Sequence, residues 1–420
     1  MIDDKKGVLG KRNSKEVTEC MICRCPDLKS VLFLGFLPPV NLMQKAEQPL
    51  SEQPAYPAEL LYCPKCSLVQ LGLVVGASVL FPVEYPYTSS TTRILRENFA
   101  ELSEEVRSLV STSTGDLIID IGSNDGNLLS NFKDRMRVLG ITPEEIGKIA
   151  VQRGIPTLFE YFDEHVIDKV LKDHGKAKII TATNVFAHID GIHEVVKGVT
   201  DLLVEDGVFI SESHYLYDLV ETLQYDAVYH EHLRYYSLKS LKHLLATHDL
   251  EVFHAKRIPT HGGSIRVYAA RKGRFAVRAS VEEVLKKEEA LGLDEERLLE
   301  FKKRVLASKL DLLVMMRELK NANKTIYGIS APSRASTLVN YVGIDDAMVD
   351  YVLEIEGSYK IGNYVPGTRI PIVNEKILFE KPPDYAILFS WHIADELIPK
   401  LREKGFRGKF IVPLPQLRVM

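Results

Sequence analysis

At 420 residues the chain is too long for a single hydrophobic core, and two or three domains are expected. With 45% hydrophobic and 26% charged residues and a net charge of −4, it reads as an ordinary globular protein. Its lysines and arginines are dispersed, which argues against a nucleic-acid or anionic-membrane partner. No apolar run approaches the ~18–20 residues of a membrane span. The opening MIDDKKGVLGKRNSKE lacks the apolar core of a signal peptide, so a cytoplasmic location is expected.

All five cysteines precede residue 67, a local device and not a disulfide framework. Cys20-Met-Ile-Cys23 and Cys63-Pro-Lys-Cys66 form two C-x-x-C knuckles, each able to put two thiolates on one side of a tetrahedral ion. Four sulfur ligands favour zinc in a closed, structural site, with Cys25 the spare thiol. Residues 1–80 are therefore expected to form a small treble-clef or ribbon-like zinc module. The pattern then turns to α/β. Apolar strand candidates LIIDIG (117–122), KIITATNVF (178–186) and GVFISES (207–213) alternate with amphipathic helical stretches, predicting a parallel, doubly wound sheet within residues 81–262.

At the end of the first of these strands, Gly122-Ser123-Asn124-Asp125-Gly126 makes a glycine-rich turn before a helix, the place where a ligand's ribose can approach backbone. It is neither a G-x-G-x-x-G dinucleotide loop nor a Walker A loop. Further on, LQYDAVYHEHLRYYS (223–237) sets Tyr229, His230, Glu231 and His232 side by side. Two imidazoles, a carboxyl and a phenol in four residues suit proton transfer, which wants groups that titrate near neutrality beside groups that tune them. The plainer reading is a polar helix start. A long charged helical stretch from about Ser280 to Asn323 reads as a connector. A second α/β unit follows it, through KTIYGIS (324–330), MVDYVLEI, DYAILFSW and KFIVPLP, which places a C-terminal domain in residues 263–420.

Asp120-x-Gly122-x-Asn124-x-Gly126 matches the first motif of class I methyltransferases, which bind S-adenosylmethionine. More widely, the chain resembles the S-adenosylmethionine-dependent C-methyltransferases of nucleotide-linked keto-deoxysugars. The residues that carry the resemblance are the two cysteine pairs, Tyr85-Pro86-Tyr87-Thr88-Ser89-Ser90, IDIGSNDGNLL, NVFAHI, YHEHLRYYS, HGGSIR (261–266) and GNYVPGTRIPI. They span Cys20 to about Pro415.

The resemblance implies a zinc module, a Rossmann-like methyltransferase domain and a C-terminal α/β domain that helps hold the sugar nucleotide. It makes His232 the general base, Glu231 the group that orients or polarises it, and Tyr229 a donor to the substrate oxygen or a group that positions the sugar. His188 becomes a second donor, and Tyr85 lies over the junction of cofactor and substrate. Gly122, Asn124, Asp125 and Gly126 line the cofactor with Tyr87, while Glu160 meets the adenine and Asn184 the methionine part.

Two departures stand out. Where the family carries an acid for the ribose hydroxyls, this chain reads Ile141-Thr142-Pro143-Glu144-Glu145. Glu144 or Glu145 could stand in through a shifted loop, or affinity is lowered. In the C-terminal unit, Arg334 could bind a phosphate with its fork, or it and Lys360 could be ordinary surface charge. The competing functions are a sugar O-methyltransferase or related enolate chemistry on the same scaffold, and a non-catalytic binding module. The full cofactor loop and the missing basic patch count against the module. Oligomeric state is left open, a monomer included.

Overall fold

The computed structural model describes residues 14–49, 51–81 and 89–420. In its middle, LIIDI becomes the strand Leu117–Ile121, buried at every position, and Ala177–Thr183 beside it is buried at all but its last. Such continuous apolar runs suit central strands covered on both faces. The seven-stranded sheet runs Leu250–Ile258, Ser264–Arg271, Leu203–His214, Ala177–Thr183, Leu117–Ile121, Arg137–Ile141, Thr157–Leu158. The expected sheet was all parallel. The observed one carries an antiparallel strand, Ser264–Arg271, inserted between Leu203–His214 and Leu250–Ile258. A domain boundary at 262 divides this sheet, whereas one after Arg271 keeps it whole. Leu117–Ile121 and Ala177–Thr183 run parallel, and the strand order reverses between them, so the crevice for a ligand opens at their carboxyl ends.

The connector is two helices, Ala279–Leu291 and Glu295–Asn321. Gly292, at φ +68°, ends the first, and the Asp294 carboxylate accepts from Arg297 N to start the second. A second sheet follows, ordered Ile372–Asn374, Tyr351–Glu354, Ile326–Ile329, Tyr385–Leu388, Lys409–Val412, Arg418–Val419, with only the last strand antiparallel. Among the described residues no helix is long and apolar enough to cross a membrane.

The N-terminal module has an antiparallel sheet of Lys29–Leu37, Tyr56–Tyr62 and Val69–Leu71, completed by Arg234–Tyr235 from the central region. Leu71 N donates to Leu233 O at 2.9 Å, and Leu233 N donates to Ala187 O at 3.0 Å. Leu216 N reaches Tyr236 O at 2.9 Å, and the Thr337 hydroxyl of the C-terminal unit reaches Val228 O at 3.3 Å. Residues 223–237 are thus held by all three parts of the molecule. They form no helix beyond a single 3-10 turn at Tyr225–Ala227.

One buried ionic network locks the antiparallel strand. Arg266, fully buried, donates to Glu212 (2.6 Å), Glu101 (2.6 Å), Glu105 (2.9 Å) and Asn98 Oδ1 (2.9 Å). Glu212, also fully buried, accepts a second bond from Asn98 Nδ2 at 2.9 Å. Arg266→Met leaves the Glu212 carboxylate uncompensated, and urea unfolding is expected to show a loss of roughly 3–5 kcal/mol. A loss below ~1 kcal/mol would contradict this role.

Candidate active site

Cys20, Cys23, Cys63 and Cys66 bring their sulfurs within 4.8 Å of one another, with Cys20–Cys66 and Cys23–Cys63 at 3.4 Å. Sulfurs bound at ~2.3 Å to a tetrahedral ion stand ~3.8 Å apart, so the cluster fits zinc. It is the only such convergence of three or more ligand side chains among the described residues, and Cys25 lies outside it. The knuckle is tied to the methyltransferase region by His193, whose Nε2–H donates to Ile22 O at 2.8 Å and whose Nδ1 meets His248 Nε2 at 2.9 Å. These contacts brace the module against the central region.

The glycine loop sits at the switch point of the central sheet. Gly122 takes φ +74°, and a Cβ there would stand 2.9 Å from the Val185 side chain. Gly126, at φ +75°, would meet Ile155 Cδ1 at 2.7 Å and Ala150 Cβ at 2.8 Å. Both positions therefore demand glycine. Asn124 and Asp125 also anchor a neighbouring segment. Asn124 Oδ1 accepts from Ser89 N at 2.9 Å, and the Asp125 carboxylate accepts from Ser89 Oγ (2.6 Å), Ser90 N (3.3 Å) and Arg153 (3.2 Å). These bonds fasten the segment beginning at Ser89 onto the loop. Tyr85 and Tyr87 lie outside the described residues.

Across the crevice, Asn184 is held at φ +57° with its N–H on Glu212 O, and its Oδ1 is buried without a partner among the described residues. An orphaned acceptor there fits the ammonium of a methionine moiety. At the end of the second strand, the Thr142 hydroxyl is buried and donates to Glu144 Oε2 at 3.4 Å. Burial raises the pKa of the Glu144 carboxyl, whereas Glu145 is exposed and paired with Lys148. Glu160, beyond the edge strand Thr157–Leu158, is held by Lys169 at 2.5 Å.

The histidines converge. The His232 ring lies 4.1 Å from Tyr229, 4.7 Å from His214 and 5.0 Å from His188, and His214 lies 5.6 Å from His261. His188 also stacks on Phe81 at 6.3 Å. His232 Nδ1 contacts Ala227 O at 2.8 Å. A carbonyl only accepts, so Nδ1 carries the proton and Nε2 keeps its lone pair. Burial pushes the His232 pKa well below 6.5, and the neighbouring His188, Arg334 and His261 add to this. Burial likewise brings His188 and His261 to about 4. The cluster is therefore neutral near pH 7.

Glu231 is not the partner of His232. Its carboxyl accepts from Asn41 Nδ2 of the zinc module at 2.6 Å, and burial raises its pKa to about 8, so near pH 7 it is predominantly protonated. The carbonyl of Ala227 does the orienting instead. His230 points into the module, its Nε2 3.2 Å from Pro57 O and its ring against Tyr56.

The C-terminal unit closes the site with Arg334. Only 6% exposed, it is not surface charge: it donates to Gln224 Oε1 (3.0 Å), meets His392 Nδ1 (3.1 Å) and lies 3.6 Å from the Asp226 carboxylate. Trp391, which Arg334 also covers, donates to Asp226 at 2.7 Å. The guanidinium fork is thus occupied by protein, and Lys360 is turned inward onto Ala331 O at 2.5 Å. His214, Gln224 and Asp226 escaped the sequence reading. The one available signal was a histidine directly after the apolar strand GVFISES.

Metal analysis of freshly purified protein is expected to find about one zinc per chain. Cys63→Ser should lose it and Cys25→Ser retain it; zinc loss from both variants, or from neither, would contradict the assigned ligands.

Three family models match the chain in order: a zinc binding domain at residues 20–81, a methyltransferase domain at 91–255 and a C-methyltransferase C-terminal domain at 259–415. The C-methyltransferase NovU of Streptomyces niveus is 32% identical over 413 residues, 97% of each chain. Among solved structures, an S-adenosylmethionine-dependent methyltransferase from Clostridium acetobutylicum covers 44% of this chain and 94% of its own at 15% identity (TM-score 0.33). Magnesium protoporphyrin IX methyltransferase from Synechocystis covers 42% of this chain and 83% of its own at 13% identity (TM-score 0.32). With its cysteine cluster, its central sheet and a relative matched end to end, the chain belongs to the S-adenosylmethionine-dependent C-methyltransferases.

Proposed function

We propose that the enzyme methylates the carbon next to the ketone of a nucleotide-linked keto-deoxysugar, with His232 as the general base. The observation that carries this reading is the His232 tautomer, its Nδ1–H bound to Ala227 O and Nε2 left free among Tyr229, His188 and His214. Removing a proton from carbon needs a neutral base whose lone pair is fixed in direction and donors that take up charge on the ketone oxygen. When bound, S-adenosylmethionine supplies an electrophilic methyl on a sulfonium. The chain's own residues do the rest.

His232 Nε2 takes the α-proton, Tyr229 orients the sugar, and Asn184 and Glu144 hold the two ends of the cofactor. Glu144 serves better than Glu145 because it is half-buried at the strand end and bonded to Thr142, while Glu145 is committed to Lys148 at the surface. The C-terminal unit, through the loop after Ile326–Ile329, closes over the sugar nucleotide. An O-methyltransferase has no use for so many neutral imidazoles around one base, which favours carbon over oxygen as the acceptor.

His232→Ala should bind S-adenosylmethionine like the parent in calorimetry while turnover falls roughly 10²- to 10⁴-fold. Parent-like turnover would remove the base assignment. The base works deprotonated and its pKa lies below the usual 6.5, so the acid limb of kcat/KM should fall below pH 6.5; a limb at or above 6.5 would contradict a depressed imidazole. Glu144→Gln should weaken S-adenosylmethionine binding about 10- to 100-fold and Glu145→Gln should leave it unchanged. Equal affinities across these variants would show that Glu144 does not hold the ribose.

A further inference from the structure

We propose that His214 is a catalytic residue of this reaction: its neutral imidazole donates an N–H to the ketone oxygen while His232 removes the α-proton, with His261 and Arg334 fixing it in place. The inference rests on the base reading of His232 and adds the electrophilic half of the site. His214 ends the strand Leu203–His214, and its ring lies between those of His232 (4.7 Å) and His261 (5.6 Å). It makes no side-chain hydrogen bond to any described residue, unlike His232, His230 and His392. An α-hydrogen and the ketone oxygen are separated by one carbon–carbon bond, so base and donor must be adjacent yet distinct, as two rings under 5 Å apart are.

The backbone leaves this ring little freedom. His214 pairs across the sheet with Ser264, and Tyr215 N donates to Gly263 O at 3.2 Å. The loop that carries His261 is held by Gln224, whose Nε2 donates to Gly262 O at 2.7 Å while its Oε1 accepts from Arg334. A donor positioned in advance needs no reorganisation as charge develops, and the Arg334 guanidinium adds a fixed positive charge felt at both rings. Burial keeps His214 and His261 neutral, and a neutral N–H lends itself to an enolate without surrendering its proton.

The step balances. The C–H electron pair becomes the C=C bond and the carbonyl π pair moves to the oxygen facing His214, while the proton goes to His232 Nε2. The enolate carbon then forms its bond to the methyl as the sulfur–methyl bond breaks, the sulfur keeps that pair, and one proton per methyl leaves His232 for solvent.

The test measures exchange of the substrate α-proton with deuterated solvent, with S-adenosylhomocysteine bound, on dTDP-, UDP- and GDP-linked 4-keto-6-deoxyhexoses. His214→Phe should exchange roughly 10²- to 10³-fold more slowly than the parent, and His214→Gln, which keeps a neutral donor, should recover at least tenfold. Both should bind S-adenosylmethionine like the parent. The infrared carbonyl band of the bound keto sugar, lowered by the parent enzyme, should return toward its solution frequency in His214→Phe. Parent-like exchange by His214→Phe overturns the proposal. So does an unshifted band, or a His214→Gln as slow as His214→Phe, since a merely structural role would give those results. Absence of exchange by the parent on every sugar overturns the base reading and this proposal together, which separates the two failures.

Discussion

Residues 223–237 are held from three directions, and the geometry of the active site depends on that restraint. The Arg234–Tyr235 strand completes the sheet of the zinc module, Leu233 is bonded to the loop that carries His188, and Val228 accepts from Thr337. A segment with so little helix or sheet of its own would sample many conformations in isolation, and each tether removes part of that freedom. This gives the zinc a function without chemistry. It stiffens the sheet edge on which the segment with the proposed base lies, and Asn41 of the same module fixes Glu231.

Electrostatics then decides what the restrained groups can do. Four imidazoles and a buried arginine share one region, so any added proton meets burial and neighbouring positive charge. That arrangement keeps the rings neutral, the form the proposed base requires. Arg334 comes from the C-terminal unit and its partners Asp226 and Gln224 from the segment before the base. The docking of the C-terminal unit is thereby part of the environment of the imidazole cluster and not only of the architecture.

Much of this was legible in the chain itself. Paired cysteines three positions apart, long apolar strands and a glycine turn are local patterns, and each became the element they imply. The sheet's antiparallel strand was not legible, because Ser264–Arg271 finds its place through Arg266 and four partners distant in sequence. The His-Glu-His run lies on the segment that carries part of the imidazole cluster, yet adjacency suggested a Glu231–His232 pair that the fold does not make: Glu231 bonds to Asn41 and His232 to Ala227. Asp125, in the recognisable loop, also binds Ser89, Ser90 and Arg153, which no local pattern announced. His214 and Arg334 are brought to the site by tertiary contacts alone, which no local pattern records.

The account rests most directly on the protonation state of one ring. Nitrogen-15 NMR of histidine-labelled enzyme, with His232 assigned by substitution, reads that state without any substrate. The account predicts a neutral His232 at pH 7 with its proton on Nδ1, coupled to the Ala227 carbonyl. A proton on Nε2, or an imidazolium at that pH, would leave no lone pair facing the substrate and would contradict it.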